Sequence, residues 1–102
     1  MLEKDIQRQI LGYLKPICQA VGKTKTMGVY DARFKCRRKD PYLFIGFPDI
    51  TGFFRNKLFF IEVKRPGEDQ SLEQVLFQEL CNKANITYIL AHSVEEVQSI
   101  IA

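Results

Sequence analysis

The chain has 102 residues, of which 46% are hydrophobic, so it can bury a core without disulfides or a structural metal, and we expect a single domain over residues 1–102. The net charge of +3 is mild, and no apolar run reaches the roughly 20 residues of a membrane span, which argues against a membrane protein. The charged start of the chain is not typical of a signal peptide, and three cysteines without Cys-x-x-Cys spacing predict a reducing cytoplasm and exclude a disulfide framework.

The first predicted element is an amphipathic helix over residues 2–21, followed by Gly22 as a stop signal. Pro16 lies late in this segment and is expected to kink the helix or end it early. Glu3 falls within the apolar stripe of the helix, so its carboxylate is expected to point toward the sheet. A short strand is predicted for residues 26–30. The apolar stripe consists of Leu2, Ile6, Ile10, Leu14, Ile17 and Val21.

Residues 31–48 are expected to be mainly loop, and they overlap a basic segment that runs from residue 23 to residue 39. This segment holds seven of the fifteen basic residues and one acid, Asp31. Such a cluster suits contact with a polyanion, but a solvated loop with loose charges explains it equally well. The candidate DNA-binding residues are Lys23, Lys25, Arg33, Lys35, Arg37, Arg38 and Lys39.

Two strands are predicted next, over residues 49–54 and 58–64, and the polar residues 55–57 between them indicate a hairpin. Alternation along the second strand places Glu62 and Lys64 on one face and Ile61 on the other. A turn of two or four residues would place Asp49 on the face of Glu62. A turn of three residues would place Asp49 on the opposite face unless a bulge corrected it.

After a loop over residues 65–70, Ser71 and Gln74 fit a capping box that opens a second helix. A buried strand over residues 87–91 and a last helix, capped by Ser93 and ending near residue 101, complete the chain. Because the second helix links two strands as a crossover, the sheet is expected to be mixed and the fold to be α/β. The predicted apolar face of the second helix comprises Leu72, Val75, Leu76, Leu80 and Ala84.

Three carboxylates, on Glu3, Asp49 and Glu62, are thus predicted to converge on a region that should be apolar. Burial of unpaired charge is expensive, and one divalent cation would satisfy all three groups. Hard oxygen ligands suit Mg²⁺ or Mn²⁺ rather than Zn²⁺, and such an ion polarises phosphoryl oxygens. Lys64 beside the ion could orient a water molecule or neutralise charge on a transferring phosphate.

Each of these residues also has a structural explanation. Glu62 and Lys64 could form an ordinary surface pair, Asp49 could be a turn residue, and Glu3 could be a first-turn acid favoured by the helix dipole. Gln74 could serve the capping box alone. Taken together, the Pro-Asp pair, the twelve-residue gap and the Glu-x-Lys strand favour a site. His92 is the only histidine, which excludes a histidine cluster, and a structural role at the last helix is expected for it.

The segments Gly46-Phe47-Pro48-Asp49-Ile50-Thr51-Gly52, Ile61-Glu62-Val63-Lys64 and Ser71-x-x-Gln74 together resemble the virus-type replication-repair nuclease (VRR-NUC) domain of the PD-(D/E)XK nuclease superfamily. The resemblance spans nearly the whole chain. It implies a restriction-endonuclease-like αβββαβ core whose mixed central sheet is flanked by helices. It also implies metal ligation by Asp49, Glu62 and the Val63 carbonyl, catalysis by Lys64, support from Gln74, and a contribution of Glu3, directly or through water.

The same resemblance implies a Mg²⁺- or Mn²⁺-dependent endonuclease for branched DNA such as four-way (Holliday) junctions. It suggests a homodimer, a role in DNA repair, and a phage or mobile element whose protein acts in the host cell. A first alternative is a nucleic-acid-binding module that has this fold and does not cleave. A second is a structural or partner-binding α/β domain with a chance motif.

Overall fold

The computed structural model describes residues 1–24, 30–31, 36–37 and 46–102, with residues 30–31 and 36–37 described by their backbone alone. The described residues form the helices α1 (Glu3–Leu14), α2 (Leu72–Lys83) and α3 (Val94–Gln98). The strands are β1 (Ala20–Lys23), β2 (Tyr30–Asp31), β3 (Cys36–Arg37), β4 (Ile50–Phe54), β5 (Lys57–Val63) and β6 (Thr87–Ala91).

One sheet has the strand order β1-β4-β5-β6, and β2 and β3 pair separately as a two-stranded antiparallel sheet. β4 pairs antiparallel with both β1 and β5, whereas β5 and β6 are parallel. The parallel pair requires a crossover connection, which α2 supplies. The predicted α/β fold with a mixed central sheet and flanking helices is therefore confirmed.

The hydrophobic core lies between one face of the sheet and the helices α1 and α3. Phe59, Ile61 and Val63 of β5 form its sheet side and are at most 2% exposed. Ile10 and Leu14 of α1 are fully buried against them. The hydroxyl of Tyr13 donates a hydrogen bond of 2.7 Å to the Ile101 carbonyl, which ties α1 to the segment after α3.

The predicted hairpin is formed by β4 and β5, with Phe54 paired to Lys57 across a two-residue turn. Arg55 and Asn56 form the turn with φ values of 52° and 65°, the left-handed conformations that a type I′ turn requires. A turn of two residues keeps Asp49 on the same face of the sheet as Glu62, as predicted for an even number of turn residues. Because Ile50 pairs with Ile61, the register carries Asp49 to a position opposite Glu62.

The first predicted helix is too long. α1 ends at Leu14, and residues 20 and 21, predicted as the end of the helix, belong to strand β1 instead. Pro16 has no N–H to donate to the preceding turn, so the helical ladder stops before it. The apolar periodicity beyond it is misleading, since Ile17 is 40% exposed. Residues 26–29 of the predicted strand 26–30 lie outside the described residues, and Tyr30 belongs to β2.

The second helix begins as predicted, with Ser71 as its N-cap, but it buries a different face. Leu72, Leu76 and Leu80 are 50–70% exposed, whereas the buried residues of α2 are Gln74 and Cys81. The periodicity of the leucines is therefore a solvent-exposed stripe and not a core face. α3 ends at Gln98, earlier than predicted, although Ile101 beyond it is still buried. Among the described residues, no helix is long and apolar enough to cross a membrane.

Candidate active site

Two carboxylates are buried on the side of the sheet that faces α2. Asp49 is 6% exposed and Glu62 is 1% exposed, and they lie opposite each other where β4 begins and β5 ends. The Val63 N–H donates a hydrogen bond of 2.9 Å to Asp49 Oδ2, so the aspartate side chain takes a backbone donor of the neighbouring strand. The register between β4 and β5 therefore brings together Asp49 and Glu62, which the sequence predicts to share one face of the sheet.

Gln74 holds the second carboxylate. Its side-chain Nε2 donates a hydrogen bond of 2.7 Å to Glu62 Oε1, and the residue is 4% exposed. Its Oε1 accepts from the Ser71 N–H at 2.8 Å, while its own N–H donates to Ser71 Oγ at 3.2 Å. Gln74 is thus both a member of the capping box, as predicted, and a direct partner of Glu62.

Lys64 lies immediately beyond the last residue of β5 and is half-buried. Its N–H donates to the Ala91 carbonyl at 3.0 Å, which fixes its backbone to β6. Its positive charge partly offsets the raised pKa of the Glu3 carboxyl and adds to the lowering of the pKa of the Glu68 carboxyl, so the ammonium lies within electrostatic reach of both acids. The structure thus places Lys64 at the same sheet end as the buried pair.

Glu3 reaches this sheet end from the start of α1 and meets Glu68. Burial raises the pKa of the Glu3 carboxyl, and a side-chain hydrogen bond with Glu68 and the charges of Glu68 and Asp49 raise it further. Glu68 accepts a hydrogen bond from Arg65, and this bond, together with the one from Glu3, lowers the pKa of the Glu68 carboxyl. The Glu3 and Glu68 carboxyls therefore interact directly at this sheet end.

Glu68 and Arg65 are site neighbours that the sequence does not predict, since its pattern indicates only a loop over residues 65–70. The signal was the Pro66-Gly67 pair: Gly67 has φ of 88°, and the Glu68 N–H donates to the Arg65 carbonyl at 3.0 Å to close a turn. Such a turn carries the fourth residue back toward the end of β5.

Tyr88 of β6 borders the site on the face of Glu62. Burial raises the pKa of its hydroxyl to about 12, and the charge of Glu62 adds to the rise. Gln70 Nε2 donates to the hydroxyl at 3.2 Å. The ring lies 6.3 Å from that of Phe77, which packs edge-on against Phe47 and Phe60. An aromatic cluster thus joins the middle of α2 to β5 and β6 beside the site.

Most of the predicted DNA-binding segment lies beyond the described residues: this holds for Lys25, Arg33, Lys35, Arg38 and Lys39. Lys23 is exposed on β1, and Arg37 belongs to β3, where the backbone alone is described. The single histidine has the structural position expected for it, since the His92 N–H donates to Glu96 at 2.8 Å at the start of α3.

Comparison with known proteins identifies this architecture. A solved structure described as "VRR_NUC domain" matches with a TM-score of 0.70, covering 97% of this chain and 92% of that one. The fold is that of a VRR_NUC domain. The two sequences are 18% identical, so the likeness is one of fold. No protein-family model matches the chain, and no curated protein matches it. The match confirms the fold expected from the resemblance.

Since the VRR_NUC fold implies a divalent metal, the donor set can be tested for its fit. Within the described residues, no three His, Cys, Asp or Glu side chains lie in an arrangement that could hold an ion. Glu3 as a third direct ligand therefore stays a prediction. The Asp49 and Glu62 carboxylates supply hard oxygen donors of the kind that a divalent cation prefers. The chemistry of this pair therefore fits a divalent cation.

Proposed function

We propose that this chain is a Mg²⁺- or Mn²⁺-dependent nuclease that hydrolyses phosphodiester bonds of DNA. The observation that carries the proposal is the buried pair of Asp49 and Glu62, which face each other at one sheet end beside Lys64. Two desolvated carboxylates at this position oppose each other electrostatically, and a cation would relieve that repulsion. The likeness to a VRR_NUC domain gives independent support for nuclease chemistry.

In this proposal Asp49, Glu62 and the Val63 carbonyl hold the ion, and Glu3 contributes through water. A strand residue presents its N–H and C=O on the same side, so the Val63 carbonyl shares the side on which its N–H meets Asp49. When bound, the ion would polarise the phosphoryl oxygen and activate water for attack.

The remaining steps belong to side chains. The Lys64 ammonium neutralises the negative charge that develops on the phosphoryl oxygens as the water oxygen attacks in line and the P–O bond to the leaving group breaks. Gln74 keeps the Glu62 carboxylate oriented through its 2.7 Å hydrogen bond. Orientation of this kind matters because small displacements of a positioned group are costly in rate.

We further propose that the basic residues between 23 and 39 bind the phosphate backbone and that branched DNA is the preferred substrate. The candidate contacts remain Lys23, Lys25, Arg33, Lys35, Arg37, Arg38 and Lys39. Backbone contacts of this type give affinity without sequence specificity, so binding should fall steeply as salt increases. A twofold homodimer would suit symmetric cuts in a junction, since one small domain presents little surface to branched DNA.

The test is a cleavage assay on labelled four-way junction, flap, duplex and single-stranded DNA, each with Mg²⁺, Mn²⁺ and EDTA. We expect cleavage that needs the ion and disappears in Asp49→Asn, with the junction cut fastest. Failure to cleave any substrate, combined with salt-sensitive binding, would support the alternative of a binding module that does not cleave. An ion-independent melting temperature would argue against any metal site, because a bound ion stabilises the folded state.

A further inference from the structure

The orientation of the Gln74 side chain is fixed by the polarity of its two partners. The Ser71 N–H can only donate, so it takes Oε1 at 2.8 Å, and this leaves Nε2 to donate to Glu62 Oε1 at 2.7 Å. A flipped amide would lose both hydrogen bonds. The backbone of the helix N-cap thus determines which end of the amide meets Glu62.

The same helix end also supports the loop that carries Asp49. A Cβ atom on Gly46 would lie 2.5 Å from the Glu73 carbonyl carbon and 2.8 Å from the Gln74 nitrogen, so the loop backbone rests directly on the first turn of α2. Phe47 then packs edge-on against Phe60 and Phe77, with ring centroids 5.4 and 5.2 Å apart. Pro48, which precedes Asp49, is among the fully buried residues.

We propose that Ser71 and Gly46 are positioning residues for the two buried carboxylates. Ser71 acts through Gln74 on Glu62, and Gly46 lets the loop that ends in Asp49 lie against the backbone of Gln74. One helix N-terminus therefore sets the position of both acids, although they belong to different strands. The consequence for catalysis rests on the proposed function. The contacts themselves do not, since they can be tested in the metal-free protein.

The backbone donor of Ser71 can be removed selectively, because the φ of Ser71 is −68° and proline adopts this value. Ser71→Pro deletes both the N–H and the hydroxyl, whereas the matched control Ser71→Ala deletes the hydroxyl alone. The first readout is the side-chain amide resonance pair of Gln74 in the metal-free protein. The second is the dissociation constant for Mn²⁺ measured by calorimetry.

We expect Ser71→Ala to keep the Gln74 amide resonances near their wild-type positions and Mn²⁺ affinity within about threefold. Ser71→Pro should shift or broaden those resonances and weaken Mn²⁺ binding by about 10- to 100-fold, the range for loss of a group that orients a ligand. Proline and alanine variants that are indistinguishable in the resonances would overturn the proposal. If wild-type protein binds no Mn²⁺, the proposed function fails, while the resonances still decide the positioning role.

Gly46 has a matched control of its own. Gly46 and Gly67 both have left-handed φ, 81° and 88°, but a Cβ on Gly67 meets no atom within 4 Å. Gly46→Ala and Gly67→Ala therefore carry the same backbone strain, and only Gly46→Ala pushes on α2. We expect Gly46→Ala alone to move the Gln74 resonances and to weaken Mn²⁺ binding. If the two variants had equal effects, backbone strain would explain both and Gly46 would have no positioning role.

Discussion

The two faces of strand β5 differ in what they bury. Phe59, Ile61 and Val63 enter an apolar core under α1 and α3, where their side chains pack against other hydrophobic residues. Glu62, on the other face, is buried just as completely, but it is held by a hydrogen bond from Gln74 that depends on the cap of α2. Burial alone therefore does not distinguish the hydrophobic core from the candidate site. The kind of contact does: apolar packing in the core, and a side-chain hydrogen bond at the site.

This contrast indicates how the two faces respond to change. A close-packed apolar face loses stability whenever volume is removed from it. The face of Glu62 carries a desolvated charge, whose replacement by a neutral side chain of the same shape costs little stability or even adds some. Stability and the proposed catalysis are thus separable on a single strand.

The largest expected effect on stability comes from the core face. Ile61→Ala should lower the free energy of unfolding by about 2–5 kcal/mol, because it opens a cavity at a fully buried position. Glu62→Gln, one residue away, should unfold at the same or a higher urea concentration than wild type. Urea unfolding followed by circular dichroism measures both, and a larger loss for Glu62→Gln would remove the distinction between the faces.

The next effect concerns catalysis. Lys64→Met should reduce kcat for metal-dependent cleavage by about 10²–10³-fold, because it removes a charge that stabilises the transition state. Lys57→Met is the matched control, since Lys57 is an exposed lysine at the opposite end of β5. Single-turnover kinetics on the best-cleaved DNA provide the measurement. Equal losses in both variants would point to nonspecific DNA binding instead.

A smaller effect is expected at alkaline pH. The pKa of Tyr88 is about 12 in the folded chain, above the usual value near 10, so the unfolded chain loses this proton first. The contribution of this group to stability is therefore complete below pH 10 and is lost as the pH rises toward 12. Melting temperatures across this range should fall less in Tyr88→Phe than in wild type. Parallel curves would contradict the burial of this hydroxyl beside Glu62.

The smallest effect is predicted for the outer face of α2. Leu76→Gln should change the free energy of unfolding by no more than about 0.5 kcal/mol, since Leu76 is 50% exposed. Phe77→Ala, its partly buried neighbour inside the aromatic cluster, should cost more, about 1–3 kcal/mol. Thermal unfolding compares the two. A large loss for Leu76→Gln that varies with protein concentration would show instead that copies of the chain bury this leucine.

The strands β4 and β5 and the shared face of Asp49 and Glu62 could be predicted because the sequence pattern that indicates them is local. A polar break between two apolar runs indicated the hairpin, and alternation assigned Glu62 to its face. α2 shows where local information fails: its leucines repeat at helical spacing, yet Gln74 and Cys81 are the buried residues. The contact of Gln74 with Glu62 involves residues twelve positions apart, and a leucine pattern carries no information about such a partner.

The α1 region and Glu68 show two further limits. Pro16 indicates a possible end of the helix. The strand that follows it depends on pairing with β4, which lies about thirty residues farther along the chain. Glu68 reaches Glu3 through a turn after β5, and its place depends on tertiary packing of α1 against the sheet. Neither feature has a periodic signal within its own segment.

Thr24 has a consequence for how this fold can be re-engineered. Its N–H donates to the Asp49 carbonyl at 2.9 Å and its hydroxyl to the Pro48 carbonyl at 3.0 Å, while Gly46 rests on α2 a few residues before them. Thr24 and Gly46 are thus both held by contacts close to Asp49 in the sequence or in space. We expect segments exchanged between Thr24 and Gly46 to leave Asp49 and Glu62 in place, so such exchanges would test the proposed DNA binding separately from the proposed hydrolysis.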